Sequence, residues 1–349
     1  IGHLYPQVEL PKEYGGGKAT VIAWIWARTV PSPDPAFSDV KVPIAASFVL
    51  SSKHGKEAWV EPVIDKSKKQ ISYKIRTNGS KAEITAASAG TKSGRGANFR
   101  CLISDTAITP DYVKNAGKSG QLGHTLIAIV TEGPKGRAYV APTGADEFLA
   151  LAASPCWRPE TPLPRHSQYI GVLGYGFNDF GDLYSKRQLA ALEAFSDAVT
   201  SASSLALEHA QNVLPREDGR SLNSGGLGAE AYADAIKTYL SFLVSQVANH
   251  STTVCGWNSP NQQMRSTFSR QAISMTWDYA EVNPFSTSSG SFHNLHNRMI
   301  KGFETLGSSL TPGRLVQFDA QNVVYKSNMV ISTDPPYYDN IPYADLSDL

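Results

Sequence analysis

A short apolar segment that stops abruptly at a rigid polar one predicts the fold class of this chain. Met329 to Thr333 is apolar and β-branched, and Asp334, Pro335, Pro336 and Tyr337 follow it directly. A run of this length that is bounded by turn residues is typical of a β-strand, and the prolines prevent its continuation. In open α/β sheets, ligands bind outside the carboxyl ends of the strands. The segment therefore predicts an α/β protein with a ligand site at this loop.

The four residues of the loop suit the alkylation of an exocyclic amine on a nucleobase. Such an amine is a weak nucleophile because its nitrogen lone pair is delocalised into the ring. The Asp334 carboxylate and the Pro335 carbonyl can both accept hydrogen bonds from the NH2 group and favour a pyramidal, more nucleophilic nitrogen. Pro335 and Pro336 fix φ and hold these acceptors, and Tyr337 can stack on a base that has left the duplex. An ordinary strand-to-turn exit is the alternative interpretation.

Asp-Pro-Pro-Tyr is the signature loop of the S-adenosylmethionine-dependent amino-methyltransferases, and the chain resembles them here. It also resembles one group of them over essentially its whole length, the large bacterial adenine-specific DNA methylases with a zinc ribbon inserted in the catalytic domain. The segments that carry this resemblance are Tyr5-Pro6, Ala23 to Val30, Phe180 to Tyr184, Arg187 to Leu189, Arg270 to Phe285 and Asp334 to Asp348. The resemblance implies methyl transfer from S-adenosylmethionine to adenine N6, with DNA as the partner and Asp334, Pro335, Pro336 and Tyr337 as catalytic residues. Some members are encoded beside phage-defence genes, which suggests a role in phage defence or restriction–modification.

The same resemblance implies how the cofactor is held. Asp319 occupies the position of an acid that contacts the adenine of S-adenosylmethionine, and a simple turn acid is the equally weighted alternative. The glycine-rich loop that holds the rest of the cofactor precedes the matched region in the family, and residues 1–349 contain no replacement for it. Because the sequence also has no starting Met, we expect an interior portion of a larger enzyme. S-adenosylmethionine would then bind only in the complete enzyme, with the remaining parts of the parent protein as partners.

The formal net charge of +1 conceals a strongly basic third of the chain. Residues 41–140 contain 16 Lys and Arg against 7 Asp and Glu, whereas residues 141–349 contain 13 against 20. A phosphate backbone is the natural partner of such a region, since each neutralised phosphate releases counterions. Lys66, Lys68 and Lys69 are therefore the candidate nucleic-acid-binding residues. A solvated face of a β-rich module explains the charge equally well.

The inserted zinc ribbon is where the chain departs from the family pattern. Structural zinc takes four thiolate or imidazole ligands, but Ser32 and Phe37 occupy the ligand positions of the first knuckle. The second knuckle keeps Cys101 and has Ser104 in place of its partner. One thiolate cannot hold the metal. We expect a ribbon that is stabilised by packing, with Phe37 near the space of the metal and no zinc bound.

Composition and periodicity predict the organisation. The sequence is 41% hydrophobic, contains no run of about 18 apolar residues, and has three widely spaced cysteines, which together predict a cytoplasmic protein without disulfides and without a membrane segment. Short β-like runs fill residues 1–145, and helical spacing follows, beginning with a capping box at Ser185 and Gln188. Two further helices and two buried strands, Leu315 to Phe318 and Met329 to Thr333, are expected after them.

We therefore predict a mixed α/β fold with a partial Rossmann-like methyltransferase sheet. Its parts would be a β-rich ribbon-like module at 1–145, a helical connector at 146–260, and a partial catalytic region at 261–349. Within the last region, Trp277 to Glu281 would either line the nucleotide pocket or brace the sheet. The predicted function is that of part of a DNA adenine methyltransferase, and the alternative is a non-catalytic nucleic-acid-binding module.

Overall fold

A computed structural model of the chain describes residues 1–134, 136–166, 168–214, 218–306, 318–322, 328–335 and 341–349. The strands are β1 (Val8–Glu9), β2 (Lys18–Ala19), β3 (Val21–Pro31), β4 (Lys41–Ile44), β5 (Val49–Ser51), β6 (Ala58–Asp65), β7 (Gln70–Thr77), β8 (Phe99–Arg100), β9 (Ala107–Ile108), β10 (Gly123–Gly133), β11 (Gly136–Val140), β12 (Trp257–Asn258), β13 (Gln263–Met264) and β14 (Asp278–Val282). The helices are α1 (Lys81–Ser88), α2 (Pro110–Lys118), α3 (Gly144–Leu151), α4 (Lys186–Val213), α5 (Ala229–His250), α6 (Phe292–Glu304) and α7 (Tyr343–Ser347).

The largest sheet is antiparallel and is built around β3. β10 pairs along one edge of β3, while β14 and then β4 pair along the other edge. β11 completes the sheet beyond β10. Every residue of β3 except the last is buried, as expected for a strand covered on both faces. Two irregularities in the β10 register bend the strand, since bulges increase local curvature.

The predicted β-rich character of the first 145 residues is confirmed. β5, β6 and β7 form a separate three-stranded antiparallel sheet, and β8 with β9 forms a small hairpin. The sequence analysis missed α1 and α2 within this region. Both begin with local capping signals: Ser80 precedes α1, and Thr109 precedes α2, whose first residue is Pro110. The Ser80 and Thr109 hydroxyls accept hydrogen bonds from backbone N–H groups of the first turn.

The helical part follows the predicted periodicity. The Ser185 hydroxyl accepts a hydrogen bond from the Gln188 backbone N–H at 3.1 Å, and the Gln188 side-chain oxygen Oε1 accepts one from the Ser185 N–H at 2.8 Å. This capping box starts α4, which packs along α5, and α5 packs against α6. Their apolar faces share one buried cluster. In the part of the chain that the structure describes, no helix is both long enough and apolar enough to cross a membrane.

The mixed α/β class is confirmed, but the described residues contain no parallel Rossmann-like sheet. Their strand pairs are antiparallel, and the sheets include a curled half-barrel. The prediction of a buried strand at Met329 to Thr333 is wrong: these residues belong to no strand and are exposed. An apolar run becomes a strand only where neighbouring strands supply hydrogen bonds and cover, and periodicity does not reveal those neighbours. The other predicted strand lies outside the described residues except for Phe318, which is exposed coil.

The central sheet joins parts of the chain that are far apart in sequence. β14 lies in the predicted catalytic region, yet it pairs with β3 of the predicted ribbon-like module from Val282 opposite Ala23 to Asp278 opposite Ala27. The two regions thus share one sheet. The proposed boundaries at 145 and 260 stay predictions.

Candidate functional site

The Asp-Pro-Pro-Tyr loop is exposed where it is described. Asp334 and Pro335 follow an extended, solvent-exposed segment. Among the described residues, no hydrogen bond or ion pair engages the Asp334 carboxylate. Pro336 and Tyr337 lie outside the described residues. Within the described residues, the carboxylate is therefore available as a hydrogen-bond acceptor, as the proposed chemistry requires.

The segment after the loop is anchored to the helices. Leu346 of α7 is buried in the apolar cluster of the helical part, together with Leu189 and Leu243 from α4 and α5. Ile341 and Leu349 pack against the same cluster. Burial of these side chains ties the chain close behind the loop to the helical layer.

Asp319, the predicted cofactor contact, is exposed and forms a local turn. Its carboxylate accepts hydrogen bonds from the Gln321 N–H at 2.9 Å and from the Asn322 side chain at 3.1 Å. This is the geometry of an Asx turn. Both hydrogen bonds agree with the turn-acid interpretation, and contact with a cofactor stays a prediction.

The three candidate nucleic-acid-binding lysines lie together at the tip of one hairpin. Lys66, Lys68 and Lys69 form the turn between β6 and β7, and all are exposed. Lys68 is 3.6 Å from Asp65, and the Lys69 ammonium donates to Asp39 at 2.9 Å. Exposed pairs of this kind are weak and are screened by salt. The tip therefore presents a cluster of cations that a phosphate backbone can approach.

A basic strand face extends this hairpin. Alternate residues of β7 are exposed, and they are Gln70, Ser72, Lys74 and Arg76. Arg76 donates to Glu61 on β6 at 2.8 Å. The sequence analysis counted Lys74 and Arg76 in the basic third but missed that they share one face, although the period of two along the strand was a usable signal.

The structure brings two of the four predicted ribbon ligand positions into contact. The Ser32 Oγ lies 3.3 Å from the Cys101 Sγ, and both residues are buried. Phe37 packs partly buried against the apolar cluster that contains Cys101. Ser104 instead donates to the Thr106 hydroxyl at 3.0 Å.

This set of side chains does not fit zinc. A single thiol beside a hydroxyl lacks the four nitrogen or sulfur ligands of a structural site. Within the described residues, no three His, Cys, Asp or Glu side chains form a group that could hold a metal. Absence of stoichiometric zinc stays a prediction, which elemental analysis of the purified protein tests.

Three of the segments that carry the resemblance, 23–30, 187–189 and 270–285, meet around a buried ion pair. Arg187, just inside α4, donates to both oxygens of Glu281 on β14 at 2.9 and 2.8 Å. The Trp26 indole of β3 donates to the same carboxylate at 2.9 Å. Both charged side chains are about 1% exposed. Sequence reasoning missed this contact, although an acid between apolar neighbours on a β-rich run was a signal that it needed a buried partner.

The Trp277 to Glu281 segment braces the sheet. Trp277 packs edge-on against Phe99 and Tyr175, with ring centroids 5.1 and 5.0 Å apart. The Asp278 carboxylate accepts a hydrogen bond from the Ala46 N–H at 2.6 Å, and burial raises the pKa of Asp278 to about 6. These contacts favour bracing over the alternative of a nucleotide pocket.

No family model, curated protein or solved structure matches the chain.

Proposed function

We propose that this chain is part of a DNA amino-methyltransferase that transfers a methyl group from S-adenosylmethionine to adenine N6. The observation that carries the proposal is the Asp-Pro-Pro-Tyr sequence at 334–337, whose described residues are exposed and whose carboxylate is unengaged in the described part. The meeting of segments 23–30, 187–189 and 270–285 around Arg187 and Glu281 also supports it, since these three resembling segments pack together. A role in phage defence or restriction–modification belongs to the same proposal.

The finer fold assignment is also part of this proposal. A partial Rossmann-like sheet would lie in 261–349 and would not include residues 329–333, which are exposed and belong to no strand. α7 would hold the loop against the helical connector through Leu346. Such anchoring reduces the conformational freedom that the loop loses when a substrate binds.

The loop would act on the target amine by hydrogen bonding. Asp334 and the Pro335 carbonyl accept the two N–H groups, Pro336 limits the backbone, and Tyr337 stacks on the displaced base. Asp319 would contact the adenine of S-adenosylmethionine, which supplies an electrophilic methyl group when bound. Because positioning contributes roughly 7–11 kcal/mol only when both reactants are held together, we expect residues 1–349 alone to methylate nothing detectable.

The test is Asp334→Ala in the complete enzyme. Loss of the acceptor should abolish N6-methyladenine formation, while DNA binding stays within about 2-fold because the carboxylate contacts the amine and no phosphate. Asp111→Ala is the matched control, since Asp111 is an exposed aspartate on α2. Full methylation by the Asp334→Ala enzyme would remove the catalytic assignment.

A non-catalytic nucleic-acid-binding module is the second candidate, and the exposed lysine tip favours it. Residues 1–349 should bind duplex DNA weakly and without sequence preference, with an affinity that falls steeply as salt rises. Reversing Lys66, Lys68 and Lys69 to Glu should weaken binding at least about 10-fold at low salt, whereas Lys237→Glu on α5 should not. Equal binding by the triple variant would show that the tip is only a solvated face. Methylation by the complete enzyme separates this candidate from the first.

A further inference from the structure

A mostly apolar groove of about 470 Å³ lies between α4, α5 and the residues that follow α7. Its apolar lining includes Leu189 and Leu192 of α4, Val244 and Ala248 of α5, and Leu349. The volume lies within the range of about 300–1,000 Å³ that is usual for ligand pockets. The groove is therefore large enough to receive more than one side chain of a partner.

One of the side chains that line the groove is an exposed indole. Trp157 is 57% exposed, whereas Trp24, Trp26, Trp59 and Trp277 are buried. A large apolar ring that stays in water forgoes the stabilisation that its burial would give. Tryptophan is also enriched at the energetic centres of protein interfaces, and the face of its ring attracts cations. Trp157 therefore offers a partner both apolar contact and a site for a cation.

The charged groups that line the groove are all acidic. Glu193 and Asp197 lie one turn apart on α4, on the same helix face as Leu189 and Leu192, because the four positions follow helical spacing. Asp348 adds a third carboxylate. Among the described residues, no Lys, Arg or His lines the groove, and none of the three carboxylates forms an ion pair. The groove thus joins apolar contact area to negative charge without a counterion.

The Glu193 carboxylate is held beside the exposed indole. Its Oε2 accepts a hydrogen bond from the Cys156 N–H at 3.0 Å, and Cys156 directly precedes Trp157. Its Oε1 accepts no hydrogen bond from the described residues. A carboxylate that is already positioned loses less conformational freedom when a cation binds to it.

Two cations of the same region do not neutralise the groove. Arg158 and Lys186 line a neighbouring cavity, and Arg158 donates to Asp182 at 3.1 Å and also to Asp179. Lys186 begins α4, and its Cα lies roughly 10 Å along the helix axis from that of Glu193. Exposed charges at such a distance are largely screened at physiological salt. The acidic groove therefore keeps its charge for a partner.

We propose that this groove binds an extended basic segment of a partner protein and receives an arginine side chain between Trp157, Glu193 and Asp197. The guanidinium would stack on the indole and donate to the carboxylates. The apolar lining would cover the aliphatic stem of that arginine and an apolar neighbour. A purely apolar segment would cover the carboxylates without giving them a donor, and a phosphate backbone would be repelled. The inference does not rest on the proposed methyltransferase chemistry.

The test is calorimetric titration of the 349-residue protein with the terminally blocked peptide Leu-Arg-Leu-Gly. The control peptide carries citrulline in place of arginine, because citrulline keeps the shape of the side chain and removes its charge. The arginine peptide should bind at least about 10-fold more tightly than the citrulline peptide. Its affinity should fall as salt rises, whereas that of the citrulline peptide should not.

Variants of the lining assign the binding to this groove. Glu193→Gln and Asp197→Asn should each weaken the arginine peptide about 3-fold, and Trp157→Ala should weaken it by a similar factor. Neither acid variant should change the affinity for the citrulline peptide. Glu208→Gln is the matched control, since Glu208 is an exposed acid on α4 that does not line the groove, and it should leave both affinities unchanged.

Thermal unfolding without peptide keeps the test independent of folding defects. Glu193→Gln keeps an oxygen that can accept from the Cys156 N–H, and the Asp197 side chain is exposed, so both variants should keep the Tm of the parent. Equal binding of the two peptides, no saturable binding of the arginine peptide up to about 1 mM, or full affinity in both acid variants would overturn the proposal. Dimerisation of the protein that both acid variants abolish would assign the groove to a second copy and would overturn it as well.

Discussion

Two apolar runs of the chain lie in opposite environments, one buried and one exposed to solvent. Val21–Pro31 becomes β3, in which Val30 is fully buried, whereas the run before Asp334 is exposed and Val330 is 97% accessible. β3 has β10 on one edge and β14 with β4 on the other. Residues 328–335 have no strand partner in the part of the chain that the structure describes. Similar local sequences thus diverge because, among the described residues, only β3 has neighbouring strands.

The comparison also separates two kinds of charged residue. Glu281 on β14 is held by Arg187, Trp26 and Ser185, while Asp334 is exposed and engages no described side chain. A buried acid with several donors is typical of a structural brace. An exposed acid that no described side chain engages is available to a substrate. Substitution of Glu281 should therefore lower stability, whereas substitution of Asp334 should lower activity.

The largest effect should come from the buried ion pair. Glu281→Ala leaves the Arg187 guanidinium buried without a counterion, which should lower the free energy of unfolding by about 3–5 kcal/mol. Urea unfolding followed by circular dichroism measures it. Asp334→Ala is the matched change in the exposed run and should stay within about 0.5 kcal/mol of the parent. Equal losses of unfolding free energy in the Glu281→Ala and Asp334→Ala variants would show that the two regions do not differ in this way.

A pH effect should come from Asp278 at the end of β14. Burial raises its folded-state pKa to about 6, above the ordinary value of 3.8, although Lys92 opposes the shift. The folded protein therefore binds this proton more tightly than the unfolded chain does. The stabilisation is complete below about pH 4 and is lost as pH rises through about 6, by up to about 3 kcal/mol.

Asp278→Asn isolates this contribution. The amide oxygen can still accept from the Ala46 N–H but does not ionise, so the dependence of unfolding free energy on pH should flatten between about pH 4 and 7. An unchanged profile in the variant would assign the titration to other groups.

The elements that the sequence predicted correctly have local signals, although α1 and α2 were missed despite their local caps. The capping box at Ser185 and the apolar spacing of α5 need only nearby residues, and the predicted helices are there. The pairing of β14 with β3 and the contact of Arg187 with Glu281 join residues about 94 or more positions apart, and no local pattern encodes them. For the same reason, the candidate site was predictable as a loop of particular residues, whereas its exposure was not.

The smallest expected effect comes from replacing one valine by alanine in each of the two apolar runs, which compares the runs directly. Val30→Ala removes buried methyl groups from the cluster around Phe99 and Cys101 and should cost about 2 kcal/mol of unfolding free energy, since a cavity remains. Val330→Ala removes the same groups from a side chain that water already surrounds, so its cost should stay within about 0.5 kcal/mol. The urea concentration at the unfolding midpoint measures both losses, provided that the m-value is unchanged. A loss of unfolding free energy at Val330 as large as that at Val30 would mean that residues 328–335 are packed in solution. Neighbouring strands would then not explain the difference between the two runs.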